Sequence, residues 1–484
     1  MTDGAMAVTG RKRQGMIRFW RISVVMMALC VVLGAMAAQG SAATTQGGKG
    51  ENHVARIDKA FGSNGVEKVA TGGPYARQSV QMALGPNGRI YGLEGNLLLA
   101  FEPNGKPARD FGNGGRLRVE SPHGELNPTG LAVDSQGRVL VSGTITTYPF
   151  TSDLPIPANT SLFELPPAMQ EAFVDRYLED GVPDPSFGDA GETDTTFALP
   201  RPTGEPGKGV EFQRAVVQAT TLAVDPENRP VVGGRYIAAI YYCAYGDQLF
   251  TSFVGRLTAS GAPDSSYAGK GYASGPSDEV DALAETIDGG VSTLNGDTTH
   301  CAEHAYPGPS TFDALTVNGD QSPVLDPARP PLITSSLLAV DSKGRALLFQ
   351  AATGFSEEPP RLIRLQPSGM LDTRFGFHGG IPLKGEVTSP GAIAVDAKDQ
   401  ILVADSTIQH PYGPRLVRYT AAGRRDWRFG KKGLLEGPIV NDTRGGVSAL
   451  AIDGKGRIYA AGWVESKTLK THHGIQIVRF LPGR

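Results

Sequence analysis

The chain has 484 residues, of which 63 are glycine and 35 proline, above typical usage of roughly 7% and 5%. Both residues weaken helix interiors, so a helical bundle is excluded. A hydrophobic content of 40% supports a large core, a formal net charge of −3 excludes nucleic-acid binding by broad basic attraction, and three cysteines are too few for a disulfide-built scaffold.

Residues 22–38 (ISVVMMALCVVLGAMAA) form the long apolar run, preceded by Arg11, Lys12, Arg13, Arg18 and Arg21 and followed by small residues through Ala43. Basic, apolar and small segments in that order predict a secretory signal peptide over residues 1–43, cut after Ala37 or after Ala43, with a linker over 44–57. An uncleaved anchor is the alternative, since the run approaches the lower limit for spanning a bilayer. Leu29 stands before Cys30 where a lipoprotein needs a small residue, and Met16 begins a more conventional signal than Met1. Cleavage removes five basic residues and Asp3, so the exported chain is more acidic than the whole. It is expected in the secreted or periplasmic space, with no membrane attachment after cleavage.

From there one unit repeats. Its inner part reads Leu-Ala-Val-Asp, two residues, Gly-Arg, then an apolar run ending in Gly, over 82–92, 131–143, 222–234, 282–296 (degenerate), 338–350, 393–405 and 450–462. The aspartate position falls at 85, 134, 225, 285, 341, 396 and 453, with Gly85 and Glu285 at two of them. Each copy is a hairpin of strands a and b about a turn rich in Asp, Asn and Gly. A second pattern, apolar-Arg-apolar, a Gly turn, then Asp-x-x-Phe-Gly, supplies strands c and d, as in 173–192, 253–273, 361–383 and 415–435. Four strands per repeat of roughly 57 residues predict a blade of a propeller. The fifth c–d segment, residues 312–325, lacks Asp-x-x-Phe-Gly.

The chain ends in a c strand (IQIVRFLPGR), while Asp58 onward supplies a c–d turn and a d strand near Val66–Ala70 with no c partner of its own. The fold expected over 58–484 is therefore all-β: a seven-bladed β-propeller of four-stranded antiparallel blades, closed by the N-terminal strand completing the C-terminal blade. This unit resembles the delta-60 repeat of exported bacterial proteins and, more distantly, NHL-type propeller repeats. The resemblance implies a fold and no particular activity.

Asp134, Asp225, Asp341, Asp396 and Asp453 recur before a tight turn and read as acceptors of backbone N–H groups. Phe61, Phe111, Phe187, Tyr267, Phe375 and Phe429 recur as rings packed between blades, and Asp110, Asp184, Asp264, Asp372 and Asp426 as caps of the same c–d turn. No Gly-x-Ser-x-Gly elbow, phosphate-cradling loop or His-Glu-x-x-His occurs. Propeller lactonases hold a metal with acidic and amide groups near the tops of inner strands. Here those places read Gln78, Thr129, Thr220, Asp281, Ser336, Gly391 and Ser448, a poor hard-metal set.

Parity of four-stranded blades puts the short a–b and c–d turns at one end. The long, dissimilar b–c and d–a segments (144–171, 194–218, 235–251, 297–311, 406–414 and 463–474) then lie at the other, where binding residues tend to sit. Five of the eight histidines and seven of the 14 tyrosines fall in the b–c segments. Tyr148, Tyr241, Tyr242, Tyr245, His300, His304, Tyr306, His410, Tyr412 and His472 are the candidate ligand-binding residues; packing of the loops upon themselves is the competing reading. Cys243 and Cys301 follow strand b of neighbouring units and are expected to form a disulfide, with soft-metal capture alongside His300 and His304, or free thiols, as alternatives.

These features predict a monomeric secreted module for a protein, glycan or cell-envelope partner, with no metal, cofactor or nucleic acid. The alternative is a propeller lyase or hydrolase at the central channel mouth, drawing on Asp281, Asp297, His300, Asp405 and His410.

Overall fold

Each recurring apolar run becomes a strand buried on both faces: Leu131 and Ala132, on opposite sides of their strand, are 5% and 3% exposed. Sheets covered on both sides must stack side by side. The computed structural model describes residues 54–71, 80–147, 169–194, 197, 199, 217–241, 247–275, 279–286, 290–296, 311–315, 318–319, 337–350, 359–383, 390–405, 413–438, 443–466 and 473–483.

The described residues form an all-β propeller whose one helical element is the 3₁₀ turn Tyr267–Gly269. The first unit holds Gln81–Leu84, Ile90–Glu94, Leu97–Phe101 and Arg116–Arg118, and the second Glu125–Val133, Val139–Thr147, Met169–Tyr177 and Glu192–Asp194. The third holds Val217–Val224, Pro230–Tyr241, Asp247–Arg256 and Tyr272–Ser274. A three-stranded sheet follows, Glu279–Glu285, Val291–Gly296 and Thr311–Leu315, here called the fourth unit. The fifth is Leu338–Val340, Ala346–Gln350, Arg361–Leu365 and Gly380–Pro382, and the sixth Pro390–Val395, Ile401–Asp405, Arg415–Tyr419 and Leu434–Glu436. The last joins Thr443–Ile452, Ile458–Ser466 and His473–Leu481 to Val66–Ala70 and Arg56–Ile57 from the N-terminal side. Six sheets thus carry four or more strands, all antiparallel.

Alternation along each strand sends one set of side chains to each neighbouring sheet. Leu98 packs with Val141, Leu140 with Val232, and Val254 with Val291 in shared clusters. Ala284 and Leu348, Leu347 and Val403, and Leu416 and Ala460 do the same further along. Met82 and Leu99 of the first unit share a cluster with Ala449 and Ile477 of the last.

The turn end is held by one recurring device. Asp134 Oδ1 accepts the Gln136 and Arg138 N–H groups at 2.9 Å, while Oδ2 takes Arg138 Nε at 2.6 Å. On strand c, Arg176 pairs with Asp184 at 2.8 Å, lies 4.4 Å from the centroid of the Phe187 ring, and donates to Ala259 O of the next unit at 2.6 Å. Gly188, after that ring, donates to Ser260 O. Its φ of +55° and the 2.0 Å that a Cβ would leave to Glu192 O demand glycine. Arg364, Asp372 and Phe375 repeat the cation, acid and ring. In the last sheet Asp58, from the other end of the chain, pairs with Arg479 at 2.8 Å.

The structure corrects four readings. Asp110 is not one of the turn caps: Phe111 N donates to Ala108 O as Phe187 N does to Asp184 O, and Asp110 pairs instead with Arg89. In the degenerate unit the turn position belongs to Thr286, not Glu285, because Thr286 N donates to Gly290 O as Asp134 N does to Arg138 O. Glu285 pairs with Val291 as Val133 pairs with Val139, a place that is apolar elsewhere. Ile57, assigned to the linker, sits in strand Arg56–Ile57. The described parts of 144–171 and 235–251, residues 144–147, 169–171, 235–241 and 247–251, are strand and not loop, since β-branched and aromatic runs such as Thr144–Thr147 and Tyr236–Tyr241 extend the hairpins.

Candidate functional site

The two ends of the propeller differ in chemistry. At the turn end the recurring aspartates are engaged in turns and ion pairs. Burial pushes Asp184, Asp264 and Asp372 up, but serine or arginine hydrogen bonds and the arginine charge outweigh it and hold all three below the usual carboxylate range.

At the other end the inner strands enter their sheets through β-bulges. Thr129, Thr220, Asp281, Gly391 and Ser448 are the extra residues, where pairing skips from Pro128 to Gly130, Ala219 to Thr221, Val280 to Ala282, Pro390 to Ala392 and Val447 to Ala449. Five of the seven places singled out at the tops of the inner strands are thus geometrically equivalent. In the first unit the turn register assigns the place to Val80 and not to Gln78, since Gly85 N donates to Arg89 O as Asp134 N does to Arg138 O. Gln78 and Ser336 lie outside the described residues.

A bulge re-aims its side chain out of the pleat, and here the hydroxyls turn toward the neighbouring unit. Thr129 Oγ1 donates to Ala219 O at 2.7 Å, Thr220 Oγ1 to Val280 O, and Ser448 Oγ to Val80 O at 2.9 Å while accepting from Val80 N at 3.1 Å. Gln81 Nε2 completes the run from the first unit by donating to Thr129 O. The donors link the last unit to the first, the first to the second, and onward to the fourth. Thr129 and Thr220 are buried, so leaving a hydroxyl unpaired there costs about 1–3 kcal/mol. These protons tie the inner strands of the last unit and the first four to one another, and Asp281 is the one carboxylate among the equivalent positions.

Asp405, at the end of Ile401–Asp405, is 4% exposed and ion-paired with Arg415. Sequence reasoning missed Glu94, which ends the otherwise apolar strand Ile90–Glu94. Burial raises its pKa, and the hydrogen bond from Thr71 and the proximity of His473 oppose the rise. It sits at the b–c end, between the first and last units. The one local signal is a glutamate closing an Ile-Tyr-Gly-Leu run just before Gly95, and it does not show what the side chain meets.

Of the candidate ligand-binding residues, Tyr241 closes strand Pro230–Tyr241 opposite Asp247. Tyr148, Tyr242, Tyr245, His300, His304, Tyr306, His410, Tyr412 and His472 lie outside the described residues, as do Cys243, Cys301 and Asp297. Among the described residues no group of three His, Cys, Asp or Glu side chains is placed to hold a metal.

No family model matches the chain, and no curated protein matches it. Solved structures similar to it include a polysaccharide lyase, 8% identical over 84% of this chain and 91% of that one, with a TM-score of 0.43. The PQQ-bound aldose sugar dehydrogenase of Streptomyces coelicolor is 11% identical over 86% and 98%, TM-score 0.37. A gluconolactonase of Xanthomonas campestris is 13% identical over 85% and 99%, TM-score 0.34.

Proposed function

We propose that the chain is an exported, closed ring of seven blades, built of delta-60-like or NHL-like repeats, that binds a protein, glycan or cell-envelope partner through its b–c and d–a connections. The fourth unit counts as a blade because it packs on the third unit on one side and the fifth on the other, as every full blade packs on two neighbours. Pairing of Val66–Ala70 with His473–Leu481 supports the closure. In this reading a Cys243–Cys301 disulfide ties neighbouring connections together, and Tyr148, Tyr241, Tyr242, Tyr245, His300, His304, Tyr306, His410, Tyr412 and His472 line the contact surface. The protein acts as a monomer in the secreted or periplasmic space.

The hydrogen-bonded belt at the channel mouth carries the preference for binding over catalysis. Its hydroxyls are committed to backbone carbonyls of neighbouring units, and its one carboxylate, Asp281, has no second acid among the equivalent positions. A lyase or hydrolase acting at the mouth is the alternative, with Asp281 as its obvious acid–base group.

One comparison separates the two. Residues 44–484, and a variant with 148–168 and 298–310 replaced by short Gly-Ser links, are tested for binding to isolated envelope polymers and a glycan array. The same samples are assayed on lactones and uronate polysaccharides. Binding that disappears with the connections, without turnover, supports the module. Turnover abolished by Asp281→Asn, with the connections intact, replaces it with the enzyme.

A further inference from the structure

The turn end carries a surface that the binding reading does not use. Seven large apolar side chains stand exposed among the described residues, and four of them, Met370, Leu371, Phe377 and Trp427, belong to the c–d hairpins of the fifth and sixth units. These hairpins are neighbours: Gly376 N donates to Ala422 O at 3.0 Å and Arg364 Nη1 to Ala421 O at 2.6 Å. Phe377 is 71% exposed and Trp427 65%. The counterparts of Phe377 and Trp427 in the other hairpins are small or polar, while Met370 has an exposed apolar counterpart in Val182. Ser63, Asn113, Asp189 and Lys431 follow the Phe-Gly pair where Phe377 does, and Lys59, Arg109, Pro185, Ser265 and Thr373 stand two before the ring where Trp427 does.

The same hairpins are basic. Arg374, Arg424, Arg428, Lys431 and Lys432 are exposed, and the Arg425 guanidinium lies 4.6 Å from the centroid of the Trp427 ring. Of their three carboxylates, Asp372 is neutralised by Arg364 and Asp426 by Arg418, each at 2.8 Å, and the exposed Glu436 stands at the end of its strand away from the turn, opposite Arg415. A chain with a net negative charge therefore presents, at one place on its rim, exposed cations around exposed apolar tips, with no exposed acid in the two turns that carry them.

We propose that this rim docks on an anionic lipid bilayer, with Phe377, Trp427, Met370 and Leu371 entering the headgroup region and the surrounding Arg and Lys side chains meeting lipid phosphates. Tryptophan and phenylalanine between cations favour that interface, and each cation near the surface adds attraction that falls off within a Debye length. Methionine and leucine tips offer no face on which a sugar ring or a base can stack, which favours lipid over an acidic polysaccharide or a nucleic acid. The site lies at the opposite end from the b–c connections and does not depend on their partner. It departs from the expectation of no membrane attachment after signal cleavage.

The test is co-sedimentation of residues 44–484, which hold every described residue, with phosphatidylcholine vesicles with and without phosphatidylglycerol. Binding is expected only to the phosphatidylglycerol vesicles, weakening as salt rises. It should fall about tenfold or more in Phe377→Ser/Trp427→Ser and in Arg428→Glu/Lys431→Glu, with both variants melting like the parent. The proposal is overturned by absence of binding or by equal binding to neutral vesicles. It is equally overturned by capture of soluble alginate or DNA that needs the cations but is indifferent to Phe377 and Trp427, because the rim would then be a polyanion site.

Discussion

The fifth and fourth units sit side by side and are built differently. In the fifth, Asp341 closes the a–b turn on Arg345, Arg364 pairs with the buried Asp372, and the Phe375 ring lies 4.3 Å from the guanidinium. At the corresponding places the fourth unit has Thr286, Gly290 and Ala314, and among the described residues it has three strands. The fourth unit lacks the turn acid and both cations at once. The first unit, which also lacks the turn acid, keeps Arg89 by pairing it with Asp110, whereas the fourth has neither acid nor cation, so no charge is left there without a partner. The fourth unit keeps what packing between the third and fifth units needs, the apolar alternation of Ala282, Leu283 and Ala284, and drops the polar staple.

Breaking the staple in the fifth unit should have the largest effect. Arg364→Ala strands Asp372 in a buried site and is expected to cost about 3–5 kcal/mol, read as a lowered denaturant midpoint. An unchanged midpoint would mean that the cation, acid and ring do not act as a unit.

The two units should also respond to pH in opposite directions. Burial, helped by the nearby Asp225 and Glu227, pushes the Glu285 carboxyl up to about 8 from 4.5. The folded chain then keeps a proton that the unfolded chain has released, so stability falls as pH rises from 4.5 toward 8. Glu285→Gln should remove this slope, raising the melting temperature at pH 8 by several degrees and changing little near pH 4. Asp184, Asp264 and Asp372 have lowered values. Their contribution is present above the ordinary aspartate range and is lost as pH falls below about 3.8. Acid unfolding of Glu285→Gln should therefore match that of the parent; a shifted acid limb would contradict the assignment.

Smallest is the belt at the other end. Ser448→Ala removes the hydrogen bonds to Val80 and is expected to cost about 1 kcal/mol. Gly391, which has no hydroxyl to lose, shows that one unit does without it. Hydrogen exchange should sharpen the contrast: amides of Val291–Gly296 exchange faster than those of Ala346–Gln350, and equal protection would remove the distinction between the units.

The fold was legible because its staple is written in residue types. Asp before a tight turn, Arg on strand c and Phe-Gly after it occur at fixed spacing, since the Asp must meet the Arg of its own turn while the strand-c Arg and the Gly must meet carbonyls of the next unit. Where the staple lapses the sequence misleads: the aspartate at 110 caps no turn, and Glu285 was placed one residue out of register because nothing in Ala-Glu-Thr-Ile-Asp marks the turn. The belt was half legible. Thr129, Thr220 and Ser448 could be placed at the inner-strand tops, but not their aim, because a bulge is invisible to an alternating pattern. Glu94 was hidden for a different reason. The groups that act on it, Thr71 through a hydrogen bond and His473 through its charge, lie far from it in sequence.

The central claim, that the first and final segments share one blade, is tested most directly by removing Arg56–Ile57 and Val66–Ala70. A chain beginning at residue 72 leaves His473–Leu481 without its partner strand and Arg479 without Asp58. It should lose the cooperative thermal transition of residues 44–484 and regain it when a peptide of residues 54–71 is added. A shortened chain that melts like the longer one, with no response to the peptide, would contradict the account.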